Sequence, residues 1–586
     1  MPVFMNPFKK HDVSDFPDVY VPLGQATRHP SVVAHHDQKN GSISEKKDEK
    51  LDDEAHSPTN DYSAYTIDGL RAEIDMDLAA SGHDSAYDRK SKVINKAIMD
   101  IGMGWYQWQL FCLCGFGWLA DNMVLQVVAL TLPSLTSEFG PSATHVRYTT
   151  CSLFIGLCIG ASFWGIASDI IGRRLAFNTT LFLAGVFGLA VGGGNSWIGV
   201  CGLYSALGVG VGGNLPVDGA LFLEFLPTAS QGLLTLLSVW WPVGQLIGSL
   251  TQVAWGFLAS TKYKCDPALL SCNISAPGEA CCSRGMNKGW RYLNICNGAI
   301  IFVMFVCRFF LFHLFESPKF LLSRGRQAEA VASVHGIAYK NGRKTWLSEE
   351  ILNAVGGDPA EVDNTKLSTK QIIQRFFSKF SGDRLAPLFA TRKLGIMTCL
   401  IWFCWATIGM GYPLFNAFLP QYLENAGKDV APTPNRIVYR NYAITSIVGV
   451  PGSIIAAYTV DIKYIGRKYT IAVSTMITGI FLFIFTLSSE PNFQLTFTCL
   501  EAFFQNIMYG VLYAYTPEVF PAPNRGTGTG IASCLNRITG LCAPIVAVNA
   551  GSVDPNAPVY ASGALILAAF LAMCAFPIET RGKQSL

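Results

Sequence analysis

The chain has 586 residues, half of them apolar, with 15% charged and a net charge of +3; a soluble protein of this length carries nearer a quarter charged residues. The deficit is uneven: residues 1–96 hold 12 basic and 17 acidic side chains, whereas the remaining 490 hold only 32 and 24. A soluble α/β enzyme, a disulfide-framework secreted module and a wholly disordered chain are excluded, which leaves a polar tail on an integral membrane body.

The opening MPVFMNPFKKHDVSDFPDVY is polar and broken, without the apolar core of a secretory signal. The tail, 1–96, is expected to be disordered and cytosolic, most plainly over Gln38–Ser63, where acidic residues, Ser and Gly leave little to bury. Val93, Ile94, Ala97, Ile98 and Ile101 follow at helical spacing, with Lys92 and Lys96 opposite. They predict an interfacial helix leading into the bilayer.

Apolar runs of membrane-crossing length lie at about 107–134, 148–168, 175–193, 197–223, 232–259 and 292–314, then at about 394–419, 441–460, 469–488, 493–514, 527–549 and 558–577. These runs are continuous rather than alternating, so the body is all-α and not a β-barrel. The predicted organisation is twelve spans: a six-helix bundle over 97–315, a central loop over 316–393, a second bundle over 394–578 and a short tail, 579–586. Arg173, Arg174, Arg467, Lys468, Arg581, Lys583 and the basic residues of the central loop fall on one side, which places both termini in the cytosol. The loop between spans five and six falls on the other side. It holds the sequon Asn273-Ile274-Ser275 with Cys265, Cys272, Cys281 and Cys282. Glycan addition and disulfides are chemically possible on that face, and the four cysteines allow three pairings. Their spacing lacks the two CxxC pairs of a zinc cluster, so no metal is expected.

Motifs recur between the halves. Asp169-Ile-Ile-Gly172-Arg173-Arg174 after span two is matched by Asp461 and Gly466-Arg467-Lys468 after span eight. Glu224-Phe-Leu-Pro227 after span four is matched by Pro517-Glu518-Val-Phe-Pro521, with Arg525 beyond it. Glu316-Ser317-Pro318 after span six is matched by Pro577-Ile-Glu579-Thr580 after span twelve. Such duplication is how many secondary transporters build a central site between two rocking halves.

On these motifs the sequence resembles the major facilitator superfamily over about 95–586. Gly115-Phe-Gly-Trp118-Leu-Ala-Asp121, Glu224-Phe-Leu-Pro227 and Tyr515-Thr-Pro-Glu518 look like the branch of synaptic-vesicle-protein-related and niacin transporters, and sugar porters share several of them. The resemblance implies alternating access and a mid-membrane site lined by spans one, four, five, seven, eight, ten and eleven. It also implies a gate in which Asp169, Gly172, Arg173, Arg174 and their counterparts Asp461, Gly466 and Arg467 pair with Glu224, Glu518 and Arg525. Ile170 and Gln231 stand where the family pattern usually has Arg, which predicts a looser lock in the first half.

An ionisable side chain inside a bilayer is costly unless it faces protein or water, so buried charge marks candidate site residues. Asp121, midway along span one, is the leading candidate for proton coupling. Asp218 in span four follows as a substrate or coupling residue, and Glu501 and Arg537 are expected to pair across the second half. Arg308 sits near the end of span six, from which an arginine can snorkel. Gly208-x-Gly210-x-x-Gly213 copies a dinucleotide fingerprint but lies within an apolar span, where small residues serve helix packing. No GxxxxGK[ST], HExxH or GxSxG occurs, so no enzyme activity or cofactor is expected. The expected function is proton-coupled transport of a small polar organic solute, a niacin-like carboxylate first and a sugar or polyol second. The rival is a non-transporting receptor that signals through its tail. The expected partners are the solute, protons and the lipid bilayer of a plasma, vacuolar or other organellar membrane, with no nucleic acid and a functional monomer.

Overall fold

A computed structural model describes residues 10–26, 66–79, 86–142, 145–227, 230, 233–248, 263, 265, 269–276, 279–357, 385–419, 435–460, 462, 465–520, 525–551, 554 and 556–580. Two tail helices, α1 (Ile67–Ala79) and α2 (Ala86–Ile101), precede the first half. That half comprises α3 (Trp105–Phe139), α4 (Tyr148–Ile171), α5 (Arg173–Val191), α6 (Trp197–Gly212), α7 (Asn214–Phe225), the helical run 233–248 (α8) and α9 (Gly289–Val306), which ends in a π turn at Cys307–Leu311. Three short helices follow: α10 (Pro318–Ser323), α11 (Gln327–Lys340) and α12 (Glu349–Gly356). The second half comprises α13 (Arg392–Asn416), α14 (Asn435–Thr459), α15 (Gly466–Phe485), α16 (Pro491–Val519), α17 (Arg525–Gly551) and α18 (Ala557–Cys574). Each predicted span thus has a helix at its place. Among the described residues nine stretches are long and apolar enough to cross a membrane.

Local chemistry sets the boundaries. Ser196 and Thr391 accept the backbone N–H of Gly199 and Leu394 at the starts of α6 and α13, satisfying donors that the first turn leaves free. Gly140 ends α3 with a left-handed φ of 83°. The fingerprint-like glycines pack helices: a Cβ on Gly208 would stand 2.5 Å from Leu153 O, and one on Gly210 would stand 2.7 Å from Ala184 N. Backbones that close require small residues.

Packing repeats between the halves. The pairs α4–α6 and α5–α9 recur as α14–α16 and α15–α18, which is the spatial form of the motif duplication. Among the described residues the halves pack most extensively where α4 meets α17 and where the start of α8 meets α14 and α16.

The tail departs from expectation. Residues 10–26, α1 and α2 pack on α10–α12 as a cap at one end of the bundle, hereafter the tail end. Phe16, Val19, Leu70 and Ile74 share an apolar core there with Phe315, Val334 and Trp346. Val21 N–H donates to Thr345 O and Thr345 N–H to Val19 O, a short strand-like pairing. His11 and His313 share a hydrogen bond at 2.7 Å. A fully disordered 1–96 is therefore corrected, because interleaved aromatic and aliphatic residues give these segments something to bury. Gln38–Ser63 lies outside the described residues. The interfacial reading of α2 is corrected as well: Val93, Ile94, Ala97, Ile98 and Ile101 are at most 2% exposed, and α10 and α12 cover that face. Hydrophobic spacing establishes an apolar face; it does not say whether lipid or protein covers it.

Candidate functional site

Helices of both halves meet midway along the bundle around a cleft of about 650 Å³, part of it continuous with solvent. The first half supplies Asp121 and Asn122 from α3, Phe154 from α4, Leu215 from α7, and Trp241 and Gln245 from α8. The second supplies Tyr412 from α13, Gln505, Asn506, Tyr509 and Tyr513 from α16, and Asn536 and Arg537 from α17. The lining differs from the expected set. The described residues of span eight do not reach it, and span two contributes Phe154.

Asp121 and Arg537 face each other across the halves. Arg537 Nη2 stands 3.9 Å from Asp121 Oδ2, with the side chains 12% and 5% exposed. That is ion-pair range but longer than a charge-assisted hydrogen bond of about 2.7–2.9 Å. Asp121 Oδ1 is buried with no hydrogen-bond partner among the described residues. A contrasting pair lies at the opposite end of the bundle, the far end. There Arg291 Nη1 and Nη2 each donate at 2.7 Å to the two oxygens of Glu138, and Trp290 and Asn287 donate to the same carboxylate. Glu138–Arg291 is a closed fork, whereas Asp121–Arg537 is loose and lines a cavity. Sequence reasoning missed Glu138 and Arg291 because each lies near a helix end, where charge draws no notice.

Aromatic rings from both halves gather beside the pair. Tyr513 meets Trp118, Trp241 and Trp405 with centroids 5.6, 4.6 and 4.6 Å away, and Tyr509 meets Tyr412 at 5.4 Å. These edge-to-face contacts suit aromatic quadrupoles. Trp241 Nε1 has no hydrogen-bond partner among the described residues. Gln245 Nε2 donates to Tyr412 Oη at 3.0 Å and to Asn122 Oδ1 at 3.3 Å, tying the halves through an amide. The cleft thus offers one cation, one carboxylate, several amides and flat apolar walls.

The other candidates separate. Glu501 does not pair with Arg537: Gln505 Nε2 donates to Glu501 Oε1 at 2.5 Å, and Asn416 Nδ2 donates to Gln505 Oε1 at 3.2 Å. Arg537 is turned instead to Asp121 in the other half, which corrects the expected pairing. Asp218 lies outside the cleft lining, held at 3.0 Å by Arg308 with both side chains fully buried. Arg308 also donates to Leu113 O and Phe177 O and stands 3.4 Å above the Phe177 ring. The snorkelling reading of Arg308 is corrected, because a buried carboxylate, two carbonyls and a ring compensate its charge in place.

The repeated motifs assemble at the tail end. In the first half Glu316 Oε1 accepts the N–H groups of Arg173, Arg174 and Ser317 at 2.9, 3.2 and 3.1 Å. Arg173 Nε stands 3.4 Å from Glu224 Oε1. In the second, Glu579 accepts from Arg467 and Lys468 N–H at 3.2 and 3.0 Å, and Arg467 Nη2 meets Glu518 Oε1 at 2.7 Å. Each acid therefore caps a helix N-terminus, where backbone donors and the helix dipole favour negative charge. Gly172 and Gly466 make the turns with φ of 107° and 61°. Asp169 lies in α4, Arg525 opens α17, and Asp461 lies outside the described residues.

At the far end the four cysteines pair as Cys265–Cys282 and Cys272–Cys281, one of the three possibilities. Asn273 is exposed, its Nδ2 donating to Phe139 O at 3.1 Å, and Ser271 Oγ donates to Glu138 O. The stapled loop is thereby bound to the Glu138–Arg291 pair. Among the described residues no group of three or more His, Cys, Asp or Glu fits a metal ion.

Two pseudo-symmetric bundles around a polar and aromatic cleft define a membrane transporter. The model of the sugar (and other) transporter family matches residues 98–585, and the chain belongs to this family of the major facilitator superfamily. It is 41% identical to MFS siderochrome iron transporter 1 of Ceriporiopsis subvermispora, over 92% of this chain and all of that one. It is 27% identical to the synaptic vesicle 2-related protein of Xenopus laevis, over 84% of this chain and 82% of that one. In fold it is similar to the proton:xylose symporter XylE, with a TM-score of 0.57 at 19% identity over 82% of this chain and 98% of that one.

Proposed function

We propose that this transporter carries a small polar organic solute, with a planar niacin-like carboxylate favoured, by alternating access coupled to a proton at Asp121. The loose Asp121–Arg537 pair carries the reading, since it places a cation and a carboxylate within 3.9 Å in the cleft without a closed hydrogen bond between them. Protonation of Asp121 frees Arg537 for the substrate carboxylate, which the guanidinium receives as a two-pronged donor. The aromatic walls take the flat ring, and the amides take its polar edge. After release Asp121 loses its proton and reclaims Arg537, so proton and anion move together. In this reading the tail end faces the cytosol, the stapled loop and Asn273 face the lumen or exterior, and the protein works as a monomer in the plasma membrane or a vacuolar or other organellar membrane.

A sugar or polyol is the second reading, favoured by the amides of Asn122, Gln245, Gln505, Asn506 and Asn536. A ferric siderochrome enters as a third cargo through the name of the 41%-identical relative. Reconstitution into liposomes with nicotinic acid, xylose and a ferric siderochrome as parallel cargos separates them. The expected result is nicotinic acid uptake driven by an inward proton gradient. Asp121→Asn is expected to abolish the pH dependence of net uptake while sparing counterflow, and Arg537→Gln to raise the KM for the acid about tenfold or more. Unchanged pH dependence of both uptake and counterflow in Asp121→Asn removes the coupling role. Uptake of xylose or siderochrome alone removes the carboxylate.

A further inference from the structure

At the far end, opposite the tail cap, one arginine joins the halves. Arg147 lies just before α4 and is 5% exposed. Its Nη1 donates to Ala547 O near the C-terminal end of α17 at 2.6 Å, where the helix dipole favours a cation. Its guanidinium also stands 5.0 Å from the centroid of Phe418, just beyond α13, within cation–π range. Both partners belong to the second half, whereas Arg147 belongs to the first. Tail-end ion pairs among the described residues stay within one half: Arg173–Glu224 in the first, Arg467–Glu518 in the second. The far-end contact is therefore of a different kind, because it spans the division along which the halves must rock.

The seam below Arg147 leads to the site. Running from Arg147 toward the tail end, α4 and α17 pass antiparallel. Phe154 faces Gly540, where a Cβ would stand 3.0 Å from its ring, and Cys158 Sγ donates to Arg537 O at 3.4 Å. Arg537 and Ala547 share one helix, ten residues or about 15 Å apart. One helix, with Pro544 between them, thus bears both the cleft arginine and the carbonyl that Arg147 holds.

We propose that Arg147 is the latch that keeps the far ends of the halves together, and that it releases Ala547 and Phe418 when the cleft opens to that side. This rests on the alternating-access reading above and assigns its far gate to a residue. The contacts seen across the division are a carbonyl and a ring, which can part and re-form without leaving a carboxylate unpaired between the halves, so they suit a contact that must open repeatedly.

Hydrogen exchange of the full chain in lipid nanodiscs, without substrate or pH gradient, tests it. Arg147→Ala is expected to raise exchange about tenfold or more in peptides covering 145–151, 415–419 and 545–551. The turns at 172–174 and 466–468 should exchange as in the unaltered protein. Arg147→Gln, which keeps a donor for Ala547 O but loses the charge over Phe418, should fall between. Exchange at the ordinary rate at the far ends of Arg147→Ala overturns the latch. If that variant does not fold, Arg147→Gln and Phe418→Leu decide, and ordinary exchange in both overturns it equally. Because nothing is transported in this measurement, failure of the carboxylate or proton reading leaves the outcome intact.

Discussion

The charged turns of the two halves are the same device built twice, and their differences show what duplication kept and what it let drift. In each, a glutamate just beyond the last helix of a half caps the helix that follows the glycine turn, and an arginine of that turn reaches a glutamate at the tail end of the half's fourth span, in α7 or α16. The capping is common to both. The arginine contact is not: it is 3.4 Å in the first half and 2.7 Å in the second. The first-half acid is also drawn into the tail cap. Its neighbour Phe315 donates its N–H to Tyr106 Oη and packs on Phe16. Burial pushes the Glu316 carboxyl above the usual carboxylate range against the pull of its backbone donors. The first-half lock is thus backed by the tail cap, and the second-half lock holds the shorter arginine–glutamate contact.

Removing the acids should give the largest effects. Among the described residues Glu316→Ala leaves three N–H groups without their acceptor and is expected to cost about 2–4 kcal/mol, and Glu579→Ala leaves two and is expected to cost about 1–3 kcal/mol. Thermal unfolding in detergent reads the order, and equal losses would erase the distinction between the lock backed by the tail cap and its counterpart. Removing the arginines should reverse the ranking: Arg467→Ala is expected to lower net uptake about tenfold and Arg173→Ala only about threefold, since a charge-assisted contact at 2.7 Å is stronger than one at 3.4 Å. Counterflow in the same vesicles separates lost gating from lost binding.

Much of this was legible in the sequence because long apolar runs and matched motifs are local signals. The twelve spans, the six-plus-six division and the recurrence of Glu316 and Glu579 after the last span of each half could be read from apolar runs and matched motifs, but the capping that these acids perform could not. The partners of buried charge could not. Asp121 and Asp218 look alike as single acids in apolar spans, yet one meets Arg537 in a cleft and the other Arg308 in a sealed core. Those partners lie on other helices, so only the packed bundle tells a site from a structural pair. The tail was misread for a related reason. Its charge pattern resembles disorder, and the few aromatics that dock it, such as Phe16, gain their value only from a groove formed some 300 residues later.

The glycines sharpen the comparison at the next level. Gly172 has φ 107° and ψ 150°, a region that essentially only glycine enters, and a Cβ there would stand 2.7 Å from Glu316 Oε2. Gly466, at φ 61°, has a φ that Asn and Asp reach more readily than other residues, and a Cβ there would stand 3.1 Å from Glu579 Oε2. Gly172→Ala should therefore cost about 2–3 kcal/mol and Gly466→Asn about 1 kcal/mol or less, read as thermal shifts. Equal losses would show that the turns are alike in strain despite their different φ.

Acid gives the smallest and most selective test. His335 in α11 lies beneath the first-half lock's cap, its Nε2–H donating to Leu347 O at 2.7 Å and its Nδ1 without a partner among the described residues. Burial lowers its pKa below the ordinary imidazole value of about 6.5, more than the carbonyl contact raises it. A group held neutral in this way adds stability that is whole above the unfolded pKa and is lost as pH falls toward the folded one. Glu316 has the opposite sign, because its raised carboxyl is relieved by protonation. Below about pH 6, exchange in α11 and α12 should therefore rise about twofold, while the second-half turn at 466–468 stays unchanged. His335→Gln, which keeps a donor for Leu347 O, should flatten that step. A step that survives the substitution, or one shared equally by the second-half turn, would show that the cap does not set the two locks apart.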